Sequence, residues 1–514
     1  MVSGLFDSPK FSITFAITAD KSSALRGNVV AILQAGCAVG ALTYNIPADV
    51  IGRKKCIILS SWIFLVGSIV QTASSSLPTL FAGRFVTGCK LPKVAVCYAQ
   101  AFKCNVVIRD LRAIIPFRYI AEISPAASRG RMIVIFQILL VTGLCCSYWI
   151  CYGFRRGFPE SDWQWRWPLI MQILPALVMI TSGIHIMPES VRWLVRKSRY
   201  KRALQVLSKL RSLPMHHPEI IEEYDEIHYS VQRERLKSTT KAQEILFNSS
   251  NRRPIVIGCL LQLFQQVILT SAVNYYTASI FKITGLANDQ VRFLATGLYG
   301  NIKLASVFLA YFIIDSRLGR RKALVISSLI TAVAYCSLGV LLNQIENATD
   351  STIGIKQVLA IIFVYLFAIG FEIGLGPVVW VVCSEIYPNS IRAVCISLTT
   401  TIHFIMNIAL AKLAPLMLDQ VRWRTELVLG GASILIGVFV GLFIPETRGI
   451  TLEQMTEVKK KITSTSAFQG SVFVFRKHKT GISSNLSLAS AIEAQFPREK
   501  APSVVEHHIV TSQI

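Results

Sequence analysis

The chain has 514 residues, of which 52% are hydrophobic and only 16% charged, with a formal net charge of +24. A mean hydropathy of +0.50 excludes an ordinary soluble domain and points to a polytopic membrane protein. The positive charge is placed as in cytoplasmic loops rather than as in a nucleic-acid binder: Arg53 with Lys54 and Lys55, Arg129 with Arg131, the basic run from Arg192 to Arg211, Arg320 to Lys322 and Lys459 to Lys461 fall in alternate connections. No basic stripe with interleaved aromatics lies in a soluble segment, so nucleic acid is excluded as a partner.

In chain order, residues 1–21 neither span a bilayer nor resemble a signal-peptide core. Apolar stretches follow at 28–48, 56–77, 132–153 and 167–187, and in the second half at 254–280, 290–314, 323–343, 357–383, 393–417 and 425–444. Each is near the ~20 residues that cross a hydrocarbon core as a helix. Lipid offers the backbone no partners, so segments that do not alternate in polarity cross as helices. The twelve cysteines lie mostly singly in these stretches, and Cys145–Cys146 lacks the spacing and histidine partners of a metal site. No metal and no cofactor is expected.

Residues 189–253 are rich in Lys, Arg and Glu and periodic enough for short amphipathic helices, whereas 450–514 are polar, Ser-rich and basic, with too few large apolar residues to fold alone. The expected organisation is an N-terminal helix bundle over 1–188, a cytoplasmic linker domain over 189–253, a C-terminal bundle over 254–449 and a mostly disordered cytoplasmic tail over 450–514. The sequon at Asn347 lies in a loop expected outside, while those at Asn248 and Asn485 lie on the cytoplasmic side, so Asn347 is the candidate glycosylation acceptor.

Three signatures occur twice in the same order. GRKK at 52–55 recurs as GRRK at 319–322; AEISPAASRGR, with Glu122 and Arg129, recurs as SEIYPNSIRA, with Glu385 and Arg392; PESVRWL from Pro188 recurs as PETRG from Pro445. The offsets of about 267, 263 and 257 residues are nearly constant and close to half the chain, so the two halves share one architecture. Loops carrying Arg53 and Lys54, or Arg320 and Arg321, can pair with Glu122 and Glu385 at neighbouring helix ends. Such pairs would latch the bundles while a central site faces outward. Asp49, three residues before Gly52, belongs to the same turn. The plainer alternative is that these charges only set topology.

With GRFVTG at 83–88, YIAEISP at 119–125, QQ followed by NYY at 265–276 and GLGPVVW at 374–380, these motifs resemble the sugar porter family of the major facilitator superfamily, most closely its fungal members. The resemblance runs in family order over roughly residues 27–455. It implies an all-α polytopic membrane protein of two six-helix bundles around a site open alternately to each side, multi-pass and in the plasma membrane. Two regions depart from it. Most of the family's first helix is missing, and 89–118, with Lys90, Lys93, Lys103, Arg109, Asp110, Arg112 and Arg118, is about 17 residues longer than the apolar stretch that completes the fourth helix. These departures read as a displaced start and translated intron sequence, with a genuine insertion as the alternative.

A sugar needs donors and acceptors in an otherwise apolar site. Gln266, Thr270 and Asn274 fall at i, i+4 and i+8, one face of a helix, with Gln265 and Ser271 beside them and Tyr275 adjoining; Glu372, Gly376 and Trp380 share that spacing across GLGP, which should loosen the helix. Thr400, His403 and Asn407 fall at i, i+3 and i+7, and Gln137 stands alone. The resemblance places Gln137, Gln265, Gln266, Trp380 and Asn407 at sugar-contacting positions. The alternative for intramembrane amides is interhelical hydrogen bonding, and for His403 it is neutral packing. Lys303 needs a cavity or an acidic partner, and the sequence does not name one. Family members usually carry Gly and Asn where this chain has Leu269 and Ser271, and Asn where it has His403.

The expected function is transport of a sugar or related polyol. Another polyol, a pentose, a disaccharide or a quinate-like acid remains open as substrate. Arg84 is a coupling candidate whose usual acidic partner in the first helix is absent, so symport with protons and facilitation both remain open. The rival readings are a nutrient sensor of the same fold and an inactive product of a faulty gene model. An enzyme is not expected, because no nucleophile, base and oxyanion set and no phosphate-cradling glycine loop is present.

Overall fold

The structure is a computed structural model that describes residues 9–15, 22–43, 45–89, 129–158, 161–185, 187–237, 249–270, 273–274, 281, 289–314, 319–347, 354–387, 392–444 and 446. The segment 90–128, with most of the charged stretch and Glu122, lies outside the described residues, as do Ser271, Tyr275 and the tail. Every regular element among the described residues is helical.

The N-terminal bundle begins with a six-residue helix α1 (Pro9–Thr14), followed by α2 (Ser22–Thr43) and the short α3 (Asn45–Val50). The expected span at 28–48 is therefore divided. α4 (Arg53–Thr72), α5 (Leu77–Cys89), α6 (Arg129–Gly157), α7 (Trp163–Ile170) and α8 (Ile173–His185) complete this half. Small residues set its packing: no Cβ fits on Gly36 or Gly88 where α2 meets α5, nor on Gly67 or Gly83 where α4 meets α5. Such close approach is how helices associate in lipid, where burial alone offers little, and it gives both glycines of GRFVTG a role. Phe11 of α1 and Phe15 just after it pack on Trp165 at 5.8 and 5.4 Å between ring centroids.

The segment between the halves contains α9 (Val191–Arg196), α10 (Tyr200–Arg211) and α11 (Pro218–Lys237). Ser190 caps α9 by accepting from the Trp193 N–H, and a bidentate Arg211–Glu223 pair ties α10 to α11.

The C-terminal bundle comprises α12 (Ser249–Val267), α13 (Asp289–Ile314), α14 (Gly319–Glu346), α15 (Ile355–Gly370), α16 (Pro377–Glu385), α17 (Arg392–Leu416) and α18 (Trp423–Phe443). Between α15 and α16 the helix widens into a π turn, Phe371–Leu375, closed by a 2.8 Å bond from the Gly376 N–H to the Phe371 carbonyl. GLGP causes this locally, because Pro377 has no N–H to continue the α ladder. The groups released by the turn are recovered by side chains. Ser327 donates to the Gly370 carbonyl at 2.6 Å and accepts from the Leu375 N–H at 2.9 Å.

The halves meet where α2 packs along α17 and α6 along α13. Seven helical segments among the described residues are long and apolar enough to cross a membrane. Large apolar side chains such as Trp62, Phe312, Val428 and Leu435 coat their outer faces, a surface suited to lipid and not to water.

Candidate functional site

The repeated motifs build two equivalent helix caps. Glu189 Oε1 accepts from the backbone N–H groups of Arg53 and Lys54 at 2.9 and 3.1 Å, closing the start of α4. Glu446 does the same at α14, accepting from the N–H groups of Arg320 and Arg321 at 2.9 and 3.1 Å. A carboxylate at a helix N-terminus satisfies orphan donors and faces the positive end of the dipole. The glycine before each helix is required twice over: Gly52 and Gly319 have φ of 106° and 75°, and a Cβ on either would come within 2.5 Å of the capping carboxylate. The PES and PET motifs were legible as a repeat, but the capping role of their glutamates was not.

The residues expected to form a latch surround these caps. Arg53 pairs with Asp49 at 3.0 Å and donates to the Ala48 carbonyl, and Asp49 also receives Arg196 from α9 at 3.4 Å. Lys54 donates to the Ile184 carbonyl at 3.0 Å. Arg320 lies 3.7 Å from Glu385, both in the C-terminal bundle. Arg321 donates to the Gly441 carbonyl, and Arg392 to that of Tyr387 at 3.0 Å. Arg129 opens α6.

Inside the bundles the polar residues converge on one buried cluster, centred on an ion pair. Glu372, on the π turn, is 1% exposed and places one oxygen 2.9 Å from Lys303 Nζ of α13. Its other oxygen accepts from Gln137 Nε2 of α6 at 3.0 Å, a bond that joins the two halves. Lys303 also donates to Asn274 Oδ1 at 3.1 Å, and Tyr299 lies 3.4 Å from the same oxygen. Glu372 is thus the acidic partner that Lys303 needs.

A second branch centres on His403. Gln262 Oε1 lies 2.9 Å from His403 Nδ1, and Gln266 Nε2 lies 2.8 Å from His403 Nε2. A neutral ring with the proton on Nδ1 donates to the first and accepts from the second. Gln266 Oε1 in turn accepts from Asn407 Nδ2 at 3.1 Å, and Trp380 packs on the imidazole with centroids 5.0 Å apart. His403 is therefore a hydrogen-bonded member of the cluster. Gln262, four residues before Gln266, was missed although its spacing puts it on the same helical face.

One expectation needs correction. Gln266, Thr270 and Asn274 do not share one regular helical face, because α12 ends at Val267 and Leu269 turns left-handed with φ of 57°. Glycine enters that region freely and leucine does not. Gln265 uses its amide N–H to hold the carbonyls of Leu375 and Gly376 at 2.7 and 3.2 Å, so it supports the π turn, and its Oε1 has no described partner. Thr270 Oγ1 is likewise buried without a described partner, and Thr400 bonds back to the Ile396 carbonyl. Arg84 is buried on α5. Asn347 follows α14 and is exposed, its amide nitrogen 2.9 Å from the Asn343 carbonyl.

Two helical halves related by repeated cap motifs, meeting at a buried polar cluster, define a transporter of the major facilitator type. The chain matches the sequence profile described as "Sugar (and other) transporter" over residues 3–97 and 112–458, and it belongs to that family. It is 30% identical over 455 residues to the MFS glucose transporter mfs1 of Aspergillus flavus, covering 84% of this chain and 81% of that one. It is also 26% identical over 450 residues to a probable quinate permease of Aspergillus terreus, covering 86% and 79%. A solved structure of the proton:xylose symporter XylE bound to 6-bromo-6-deoxy-D-glucose shares the fold with a TM-score of 0.72 at 23% identity, covering 89% of this chain and 97% of that one. The chain is a multi-pass membrane transporter and not an enzyme.

Proposed function

We propose that the central cluster binds a sugar or related polyol and that the two halves rock about it to expose it to each side in turn. The observation that carries this reading is the convergence of Gln137 from one half with Gln266, Asn274, Glu372, Trp380, His403 and Asn407 from the other. Amides and a carboxylate offer paired donors and acceptors to hydroxyl groups, and Trp380 offers a flat apolar face to a ring. The Gln137–Glu372 bond joins the halves at this cluster, so ligand binding there bears directly on their relative position. Positive charge around the starts of α4 and α14 and along α9 to α11 supports a cytoplasmic location for that end, with Asn347 outside. The name of the mfs1 relative favours a hexose.

The test is labelled-sugar uptake in a yeast lacking its own hexose carriers, with surface abundance measured in parallel. Uptake above the empty-vector control, lost in Trp380→Ala at equal abundance, supports the reading. Uptake indifferent to Trp380→Ala and Gln266→Ala together refutes it.

A further inference from the structure

We propose that Lys303 and Glu372 form a charge-compensated pair that sets the substrate class of the central cluster, admitting uncharged polyols and rejecting carboxylates such as quinate-like acids. The inference rests on the transport reading above and goes further, to the class of substrate. Lys303 is 2% exposed and Glu372 1%, with Nζ and Oε1 2.9 Å apart. The other hydrogen-bonded residues, Gln137, Gln262, Gln266, Asn274, His403 and Asn407, are five amides and an imidazole whose bonds to Gln262 and Gln266 fit a neutral ring, so the pair supplies both charges of the described cluster and they cancel.

The bonding leaves room for hydroxyls. An ammonium has three donors, and the described bonds use two, to Glu372 and Asn274. A carboxylate has about four acceptor sites, and Lys303 and Gln137 occupy two. A hydroxyl can therefore accept from Lys303 and donate to Glu372 without separating them. A carboxylate ligand has no such option. Taking Lys303 leaves Glu372 buried and unpaired, and standing beside the intact pair puts a net negative charge into the interior; both are strongly unfavourable. The backbone is shaped to this arrangement, since a Cβ on Gly376 would come within 2.8 Å of Glu372 Oε2 and 3.3 Å of Gln137 Nε2.

The test measures binding to the purified full-length chain in detergent at neutral pH, with D-glucose and D-xylose as neutral probes and D-gluconate and quinate as acidic ones. The wild type is expected to bind a neutral probe at least ~10-fold more tightly than either acid, the least an uncompensated buried charge produces. Glu372→Gln frees the ammonium and should bind the acids at least ~10-fold more tightly than the wild type. The double variant Lys303→Gln/Glu372→Gln buries no charge and so guards against misfolding of the single variant; with no free ammonium it should bind the acids at least ~10-fold more weakly than Glu372→Gln does. Equal binding of acids and neutral probes by the wild type overturns the proposal. So does a folded Glu372→Gln variant whose acid affinity is no higher than that of the double variant. If none of the four probes binds the wild type, the transport reading fails and this inference with it, a result distinct from a bound sugar with unchanged discrimination.

Discussion

Glu189 and Glu446, 257 residues apart in the chain, each accept two backbone N–H bonds at the first turn of a membrane helix, from Arg53 and Lys54 in one half and from Arg320 and Arg321 in the other. The equivalence shows the internal repeat in atoms rather than in letters. Replacing either glutamate by alanine should lower stability by about 1 to 2 kcal/mol, the usual cost of an N-cap with a charged acceptor. The caps share no bond partner, so the double variant should lose roughly the sum. Thermal unfolding in detergent checks this, and an unchanged midpoint in both single variants would show that water replaces the carboxylates without loss.

The second prediction concerns the branch around His403. Gln266→Ala removes a hydrogen-bond partner of both His403 and Asn407, at about 0.5 to 1.5 kcal/mol each. Substrate uptake should fall by about 10-fold or more at equal surface abundance. Gln262→Ala removes a partner of His403 and a weaker 3.7 Å bond to Cys383 Sγ, and should cost less. Equal uptake by both variants and the wild type would reduce the cluster to packing.

Fold class and much of the cluster were legible in the sequence because both depend on local pattern. Apolar runs of about twenty residues can only be helices in lipid, and paired motifs at constant offset reveal the two halves. The partnership of Lys303 with Glu372 was not legible, because it joins positions 69 residues apart through a tertiary contact that spacing does not encode. Helical spacing misled at Leu269. The period of 3.6 residues assumes an unbroken helix, and one left-handed residue rotates Thr270 and Asn274 away from the face of Gln266.

That residue sets up a contest between two effects. Leu269→Gly relieves a left-handed backbone worth about 1 to 2 kcal/mol, but it also removes a leucine that is only 5% exposed, at about 2 to 5 kcal/mol. The loss of burial should win, and the variant should unfold earlier than the wild type while keeping its substrate affinity. A higher unfolding midpoint would show that strain dominates at this site.

Arg320 and Glu385, 3.7 Å apart, make an ion pair too long for a hydrogen bond. Glu385→Gln should therefore shift the balance between outward-facing and inward-facing states by about 1 kcal/mol at most. A single cysteine reporter near the outer end of α17 should label more slowly from outside in the variant. Undiminished labelling would remove Glu385 from any latch.

The last prediction concerns the stretch after α5. The match to the sugar transporter family passes over residues 98–111 and resumes at 112, and the omitted residues include Lys103, Arg109 and Asp110. A charge held at the centre of a bilayer costs about 2.5 to 3.5 kcal/mol on insertion scales, and a fold stable by only about 5 to 15 kcal/mol tolerates few of them. Deleting 98–111 should therefore raise both surface abundance and labelled-sugar uptake per surface molecule in the carrier-deficient yeast. Stability alone would raise abundance only, whereas a repaired bundle moves as a packed unit and raises uptake per molecule as well. Lower uptake after the deletion would show that these residues belong to the working transporter and that their charges lie outside the hydrocarbon.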